Sequence, residues 1–405
     1  MSLAAPKQAG ATEDPHVEGE ERVAPLELFF DLVFVFAITQ VTTLMSHDPS
    51  WRGLGQGLLV LAEVWWAWAA YGWLTDNVDA DETVARLAMF GAMIGMFVAA
   101  LAAPEAFDRY GVLFGCAYFA VRALHIVIYA FASETVELRQ AVKRLAPGVL
   151  IGCGLLIAAG TQDGVVQAAF WCAAIAFDWS APLIVGTRGW EVHSSYFAER
   201  YGLIVIIALG ESIVAIGVGL SGVALDAGLL IGASLGVVIA ASLWWTYFDV
   251  VALAAERKLA SLSGEEQNAL ARDSYSYLHF PMIAGIVLLA LGVKKAVLHV
   301  DQPLEAVTAT ALCGGVALYL GGQIAFRLRN VRTLSAQRTI AAAACLALIP
   351  LATEIDAGFA IAAVAVVVVA LTTYEATRFR EARERIRAGG LPGSMLASGS
   401  GDRKG

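Results

Sequence analysis

Six carboxylic acids stand within or at the ends of stretches otherwise apolar enough to exclude them: Glu27, Asp31, Glu63, Asp178, Glu211 and Asp249. A single internal guanidinium, Arg122, accompanies them. On insertion scales each such group costs about 2.5–3.5 kcal/mol at mid-membrane, so each should face a polar interior and find a partner. One arginine cannot neutralise six acids. The remainder must be protonated, hydrogen-bonded, hydrated or occupied by a cation, which is the chemistry of proton or cation binding inside a bilayer.

Spacing gathers several of these groups into seams. Tyr118, Arg122, His125 and Tyr129 fall at i, i+4, i+7 and i+11, one face of a helix, and Gln167, Trp171, Ala174 and Asp178 do the same on another. Ala208, Ser212, Ala215 and Gly219 form a small-residue stripe suited to close helix contact. Arg122 is expected within direct or single-water reach of Asp178 or Glu63. Bland readings stand beside these. Glu27, Glu199 and Asp249 lie near span ends, where a headgroup-level acid is ordinary; Arg122 with one acid makes a structural pair; His125 alone fits a packed side chain. Glu63 and Glu211, near the middle of their spans, resist such readings. Glu211 follows the glycine of "LGES" and lies about 18 Å along a helix from Glu199 at 1.5 Å per residue, so it is the expected central protonatable site.

The elements that must position these residues are membrane helices. The 405-residue chain is 58% hydrophobic and 16% charged, with mean hydropathy +0.67, against about a quarter charged for a soluble domain. Long apolar runs give twelve spans, near 26–45, 54–75, 84–102, 110–131, 143–160, 164–186, 200–220, 228–250, 276–298, 304–326, 336–353 and 355–374. In lipid these must be helices, so the fold expected is an all-α polytopic transmembrane bundle. Of the 27 Lys and Arg, the odd-numbered loops hold only Arg52, Arg109, Lys294 and Lys295. Arg122 is inside a span and the rest lie on the other side, which puts both termini in the cytoplasm.

Residues 1–24 form a polar cytoplasmic segment without a signal-peptide h-region. The longest loop, 251–275, carries "SGEE" at Ser263–Glu266, a capping-box pattern for a short surface helix. Residues 375–405 read as a charged helical tail, with Glu381 and Arg385 at i,i+4, and a disordered end. The five cysteines lie in apolar stretches with no metal or redox spacing and read as packed core. A net charge of −9 does not suggest nucleic-acid binding. Walker, dinucleotide, HExxH and GxSxG patterns are absent, which counts against ATP-driven pumping, and no cofactor or metal ligand set is indicated.

The halves echo one another. "LELFFDLVFVFAITQV" (26–41) aligns without gaps on "AERYGLIVIIALGESI" (198–213), placing Glu27 on Glu199. "VWWAWAAY" (64–71) follows on "LWWTYFDV" (243–250), then "YFAVRALH" (118–125) on "YLGGQIAF" (319–326), and "VKRLAPG" (142–148) on "AQRTIAA" (336–342). Six helices per unit is an even number, so 25–186 and 187–374 would be parallel repeats.

"ELFFDLVFVFAITQV" (27–41) together with "FAERYGLIVIIALGESI" (197–213) resembles the low temperature requirement protein A (LtrA) family of bacterial membrane proteins, over roughly residues 22–375. The family's signature positions fall here on Glu27, Phe29, Asp31 and Phe34, and on Glu199, Arg200, Gly202, Gly210 and Glu211. The family's usual histidine three residues before the Glu-Arg pair is Tyr196 in this chain, with His193 a turn earlier. Members resemble transporters without an established substrate, so the resemblance implies topology more than mechanism. Glu27 and Asp31 would begin a repeat unit where Arg200 of the matching unit could pair with them.

The expectation is a non-enzymatic secondary transporter in the cytoplasmic membrane, coupled to protons or cations. Its pathway residues are Asp31, Glu63, Arg122, Asp178 and Glu211, with Tyr118, His125, His193 and Asp249 as secondary candidates. The alternatives are a membrane scaffold or cold-adaptation factor, and a membrane-embedded enzyme. Its partners would be the lipid bilayer and a small solute or ion; the sequence fixes neither solute nor oligomeric state.

Overall fold

A computed structural model describes residues 23–78, 83–132, 135–378 and 380. The proposed N-terminal segment and charged tail lie almost wholly outside them. Within them the chain is helical: α1 Pro25–His47, α2 Trp51–Thr75, α3 Thr83–Ala102, α4 Gly111–Ala132, α5 Val136–Ala159 and α6 Gly164–Val185. After these come α7 Ser194–Gly219, α8 Ala227–Phe248, α9 Val251–Ala260, α10 Gly264–Ala271, α11 His279–Leu298 and α12 Ala306–Ala309. The last three are α13 Gly315–Val331, α14 Ala336–Ala352 and α15 Ala357–Arg378. Two π-turns, 272–277 and 310–314, join α10 to α11 and α12 to α13.

Local chemistry sets several starts. Pro25 opens α1, where its missing N–H costs nothing. Ser50, Thr135 and Asp226 cap α2, α5 and α8 by accepting from Gly53, Leu138 and Leu229 N–H. At α10 the expected capping box is not made: Ser263 occupies the cap position without a side-chain bond. Nor is 251–275 a loop, because α9, α10 and the first π-turn fill it and run on into α11.

Eleven helical segments among the described residues are long and apolar enough to cross a bilayer. The twelfth expected span, α14, has 17 residues, about 25 Å at 1.5 Å per residue against a core of about 30 Å. Large apolar side chains point outward, such as Phe131 at 80% and Ile184 at 81% exposure, as lipid demands. Cys116 and Cys172 are on this outer face too, so only Cys153, Cys313 and Cys345 are the packed cysteines expected.

In the first half α1 packs on α2 and α3, α3 on α4, α4 on α5, α5 on α6, and α6 returns to α2. In the second, α7 packs on α8 and α11, α11 on α13, α13 on α14, α14 on α15, and α15 returns to α8. The α11–α13 crossing is close because Gly285 faces Gly315: a Cβ at 285 would come within 2.5 Å of the Gly315 carbonyl. The halves meet through α1 against α7 and α11, and α2 against α11.

Candidate functional site

Among the described residues, most of the expected intramembrane charges gather into three clusters. The first spans α1 and α7, whose i,i+4 faces oppose each other. Arg200 Nη1 donates to Glu27 Oε2 at 2.6 Å and Nη2 to Asp31 Oδ1 at 3.2 Å. Trp68 Nε1 on α2 donates to the same Asp31 oxygen at 2.9 Å. The Tyr196 hydroxyl bonds Glu27 Oε2 and lies 2.8 Å from Thr75 Oγ1. Arg200 and Asp31 are wholly buried. Arg122 is therefore not the single internal arginine: Arg200, expected at the end of its span, sits inside the helix contact. Tyr196 fills the family's histidine position and holds Glu27. Its signal was its i,i+4 spacing to Arg200, matching that of Glu27 to Asp31.

The second cluster joins α2, α4 and α6. Arg122 Nη2 donates to Asp178 Oδ1 at 2.8 Å, both groups being 2% exposed, so the expected ion pair falls on Asp178. Tyr118 donates to Asp178 Oδ2 at 3.2 Å, and Glu63 is its other side-chain partner. Glu63 Oε2 and the Nε and Nη1 of Arg122 have no partner. His125 Nε2 lies 3.0 Å from the Ala70 carbonyl, an acceptor, so Nε2 carries the proton; Nδ1 is then a bare acceptor without a partner. Pro182, one turn after Asp178, has no N–H to offer the Asp178 carbonyl and loosens α6 at this point. Tyr129, Gln167 and Trp171 are also buried, so both seams read from spacing face inward.

A cavity of about 70 Å³ lies against this pair. Trp66, Trp73 and Trp190 wall it, with Arg122 and His125 from the helices and Arg272 and Ser276 from the π-turn also lining it. Gly186, at φ +78°, ends α6 beside it. The π-turn is the junction between halves: Ser276 accepts from Trp65 Nε1 on its carbonyl and Trp73 Nε1 on its hydroxyl, both at 2.8 Å, and its Oγ is 3.1 Å from the Tyr201 hydroxyl. Its wider turn aims consecutive polar groups at several helices at once. Nothing in the sequence periodicity marks this segment.

The third cluster sits where α1, α7 and α11 meet. Glu211, 3% exposed, has Thr39 and Lys294 as neighbours, and its Oε1 lacks a partner. It lies eleven residues beyond Arg200 on α7, about 16 Å at 1.5 Å per residue, so it stands apart from the Arg200 cluster.

Other expected positions fall outside these clusters. Glu199, Phe29 and Gly210 are exposed, whereas Phe34 and Gly202 are buried. Aligning Glu27 with Glu199 therefore does not carry over to a shared role. Asp249 follows the end of α8 and is half-buried. His193, N-cap of α7, is held at the connection ends: its N–H donates to both Asp76 carboxylate oxygens at 3.2 Å. A buried pair absent from the expected set, Arg338 with Glu375, is bidentate at 2.8 Å and binds Gln323 as well.

Lipid-length apolar helices with an apolar exterior and charges paired between them define a polytopic α-helical membrane protein. Residues 22–373 match the family described as Bacterial low temperature requirement A protein (LtrA), and the chain belongs to that family. It is also similar to the Uncharacterized protein RA0937 of Rhizobium meliloti (strain 1021), 29% identical over 322 residues that cover 76% of this chain and 78% of that one.

Proposed function

We propose that the protein is a secondary transporter in the cytoplasmic membrane, both termini cytoplasmic, that couples proton binding on buried carboxyls to passage of a small solute. It performs no catalytic step in this reading. Among the described residues, apart from the Arg338–Glu375 pair, Glu27, Asp31, Glu63, Asp178 and Glu211 share two buried arginines, Arg122 and Arg200, and the neighbouring Lys294. The observation that carries the reading is that Asp31, Glu63 and Glu211 each keep one carboxyl oxygen without a partner. The buried acids outnumber the cations beside them, and this reading assigns the balance to protons.

Donor counting names the route. Tyr118 has one hydroxyl proton and two carboxyl neighbours. While that proton goes to Asp178, Glu63 meets the tyrosine oxygen only by donating a proton of its own; an ionised Glu63 draws the tyrosine proton away from Asp178. The hydroxyl is thus a relay between the acids.

The matching packing order of α1–α6 and of α7, α8, α11, α13, α14 and α15 supports two parallel six-helix repeats, a common carrier plan. The cavity's position, between first-half helices and the second half's π-turn, supports a path between repeats. The separation of the three clusters, each inside a helix contact, favours a scaffold as the second reading.

Proteoliposome proton flux, read with an internal pH dye, separates the two. Glu63→Gln and Glu211→Gln keep shape and hydrogen-bonding capacity but cannot titrate, so both should fold and lose proton flux. Wild-type protein with no flux above that of protein-free vesicles would leave the scaffold reading standing, and full flux with unchanged pH dependence in both variants would remove Glu63 and Glu211 from the route.

A further inference from the structure

The cavity beside Arg122 has an unbalanced polar lining. Both oxygens of Asp178 are engaged, one by Arg122 and one by Tyr118. Arg272, which also lines it, is satisfied by Asp273 and the Pro182 carbonyl. What stays without a partner on the lining residues is Arg122 Nε and Nη1 and the His125 Nδ1 acceptor, all three buried. The charged valence still unfilled is therefore donor only, and the complementary group is an anion. The remaining wall is mostly apolar, with Trp66, Trp73 and Trp190 beside Ala70, Leu145 and Val185, which suits a short apolar chain. At about 10–15 Å³ for each water-sized position, about 70 Å³ admits roughly five such positions.

We propose that this cavity binds a small monocarboxylate of about two to four carbons, its carboxylate on Arg122 and its chain against Trp66, Trp73 and Trp190. An anion added to a neutral cluster in lipid must bring a positive charge with it. Arg122 passes from Asp178 to the ligand carboxylate, and Asp178 takes one proton through Tyr118 from Glu63, which is refilled from solvent. One anion and one proton enter together, and the net charge of the site is unchanged. Passage across the membrane rests on the transporter reading; binding does not.

The test is calorimetric titration of propionate into the full-length protein in lipid nanodiscs, in two buffers of different ionisation heat at one pH. Saturable binding with about one proton taken up per propionate is expected, and neither propionamide nor propylamine should compete. Ala70→Leu, which fills the cavity without touching charge, should weaken binding at least about tenfold, the loss of one charged hydrogen bond or its equivalent in packing. Because Arg122→Gln alone leaves Asp178 unpaired, the arginine is tested in the folded double variant Arg122→Gln/Asp178→Asn, which should bind equally weakly. No saturable heat, equal binding of propylamine, or unchanged affinity in Ala70→Leu would overturn the site, and a proton count near zero would overturn the handover. Labelled propionate uptake into proteoliposomes keeps the two readings apart. Binding without uptake overturns transport and leaves the site, whereas proton-coupled flux without propionate binding does the reverse.

Discussion

Arg200 reaches two carboxylates one turn apart on α1, and Arg122 shares one acid with a tyrosine; in both cases a buried charge persists because its partner's geometry is fixed by a helix. Breaking such a pair from one side costs more than removing it whole. Arg122→Met should therefore destabilise the protein by about 3–5 kcal/mol, while Arg122→Met/Asp178→Leu should recover most of that loss. Melting in detergent checks this, and a double variant no better than the single would show that the pair is not the source. At Tyr196 the hydroxyl supports Glu27 and Thr75. Tyr196→Phe should cost about 1.5–3 kcal/mol, the value of a hydrogen bond to a charged group. Tyr196→His, the residue usual in the family, should cost less because an imidazole N–H can replace the lost donor.

The π-turn 272–277 sets the junction that the straight helices cannot. Ser276 satisfies two indoles and a tyrosine from α2 and α7, Ser274 accepts from Asn330 on α13, and Tyr277 donates to the Trp179 carbonyl on α6. Ser276→Ala would take that partner from the half-buried Trp73 indole and the buried Tyr201 hydroxyl, a loss of about 1–3 kcal/mol for the buried group and less for the other. The Trp65 bond, made to the backbone carbonyl, should survive. Tryptophan emission during chemical unfolding reads both the midpoint shift and the changed surroundings of the indoles. An unchanged midpoint would mean that the junction is held by packing alone.

Over the whole molecule, the proposed twelve crossings would put the start of α1 and the end of α15 on one side, with the α11–α12 connection around Asp301 on the other. A fluorescent protein fused after residue 405 should fluoresce in a bacterial host, while alkaline phosphatase inserted at Asp301 should be active. The opposite pattern would reverse the orientation, and one active reporter with the other silent would place both sites on one side and remove a span, with α14 at 17 residues the first suspect.

Composition and run length were enough to determine that this chain is a multi-pass helical membrane protein, because lipid leaves the backbone no other solution. The i,i+4 spacings placed Tyr118, Arg122, His125 and Asp178 on inward faces, and the two motif blocks carried the family. Partner choice was decided only by the tertiary structure. Whether Glu63 or Asp178 takes Arg122 depends on how α2, α4 and α6 are rotated about their axes, and periodicity fixes a face without fixing its neighbour. Arg200 read as a span-end charge until α1 enclosed it, and Glu199, its neighbour in sequence, turned outward because adjacent helical residues point about 100° apart. The π-turn and the cavity against it left no sequence signal, since both arise where separate helices fail to fit together without a local change in pitch.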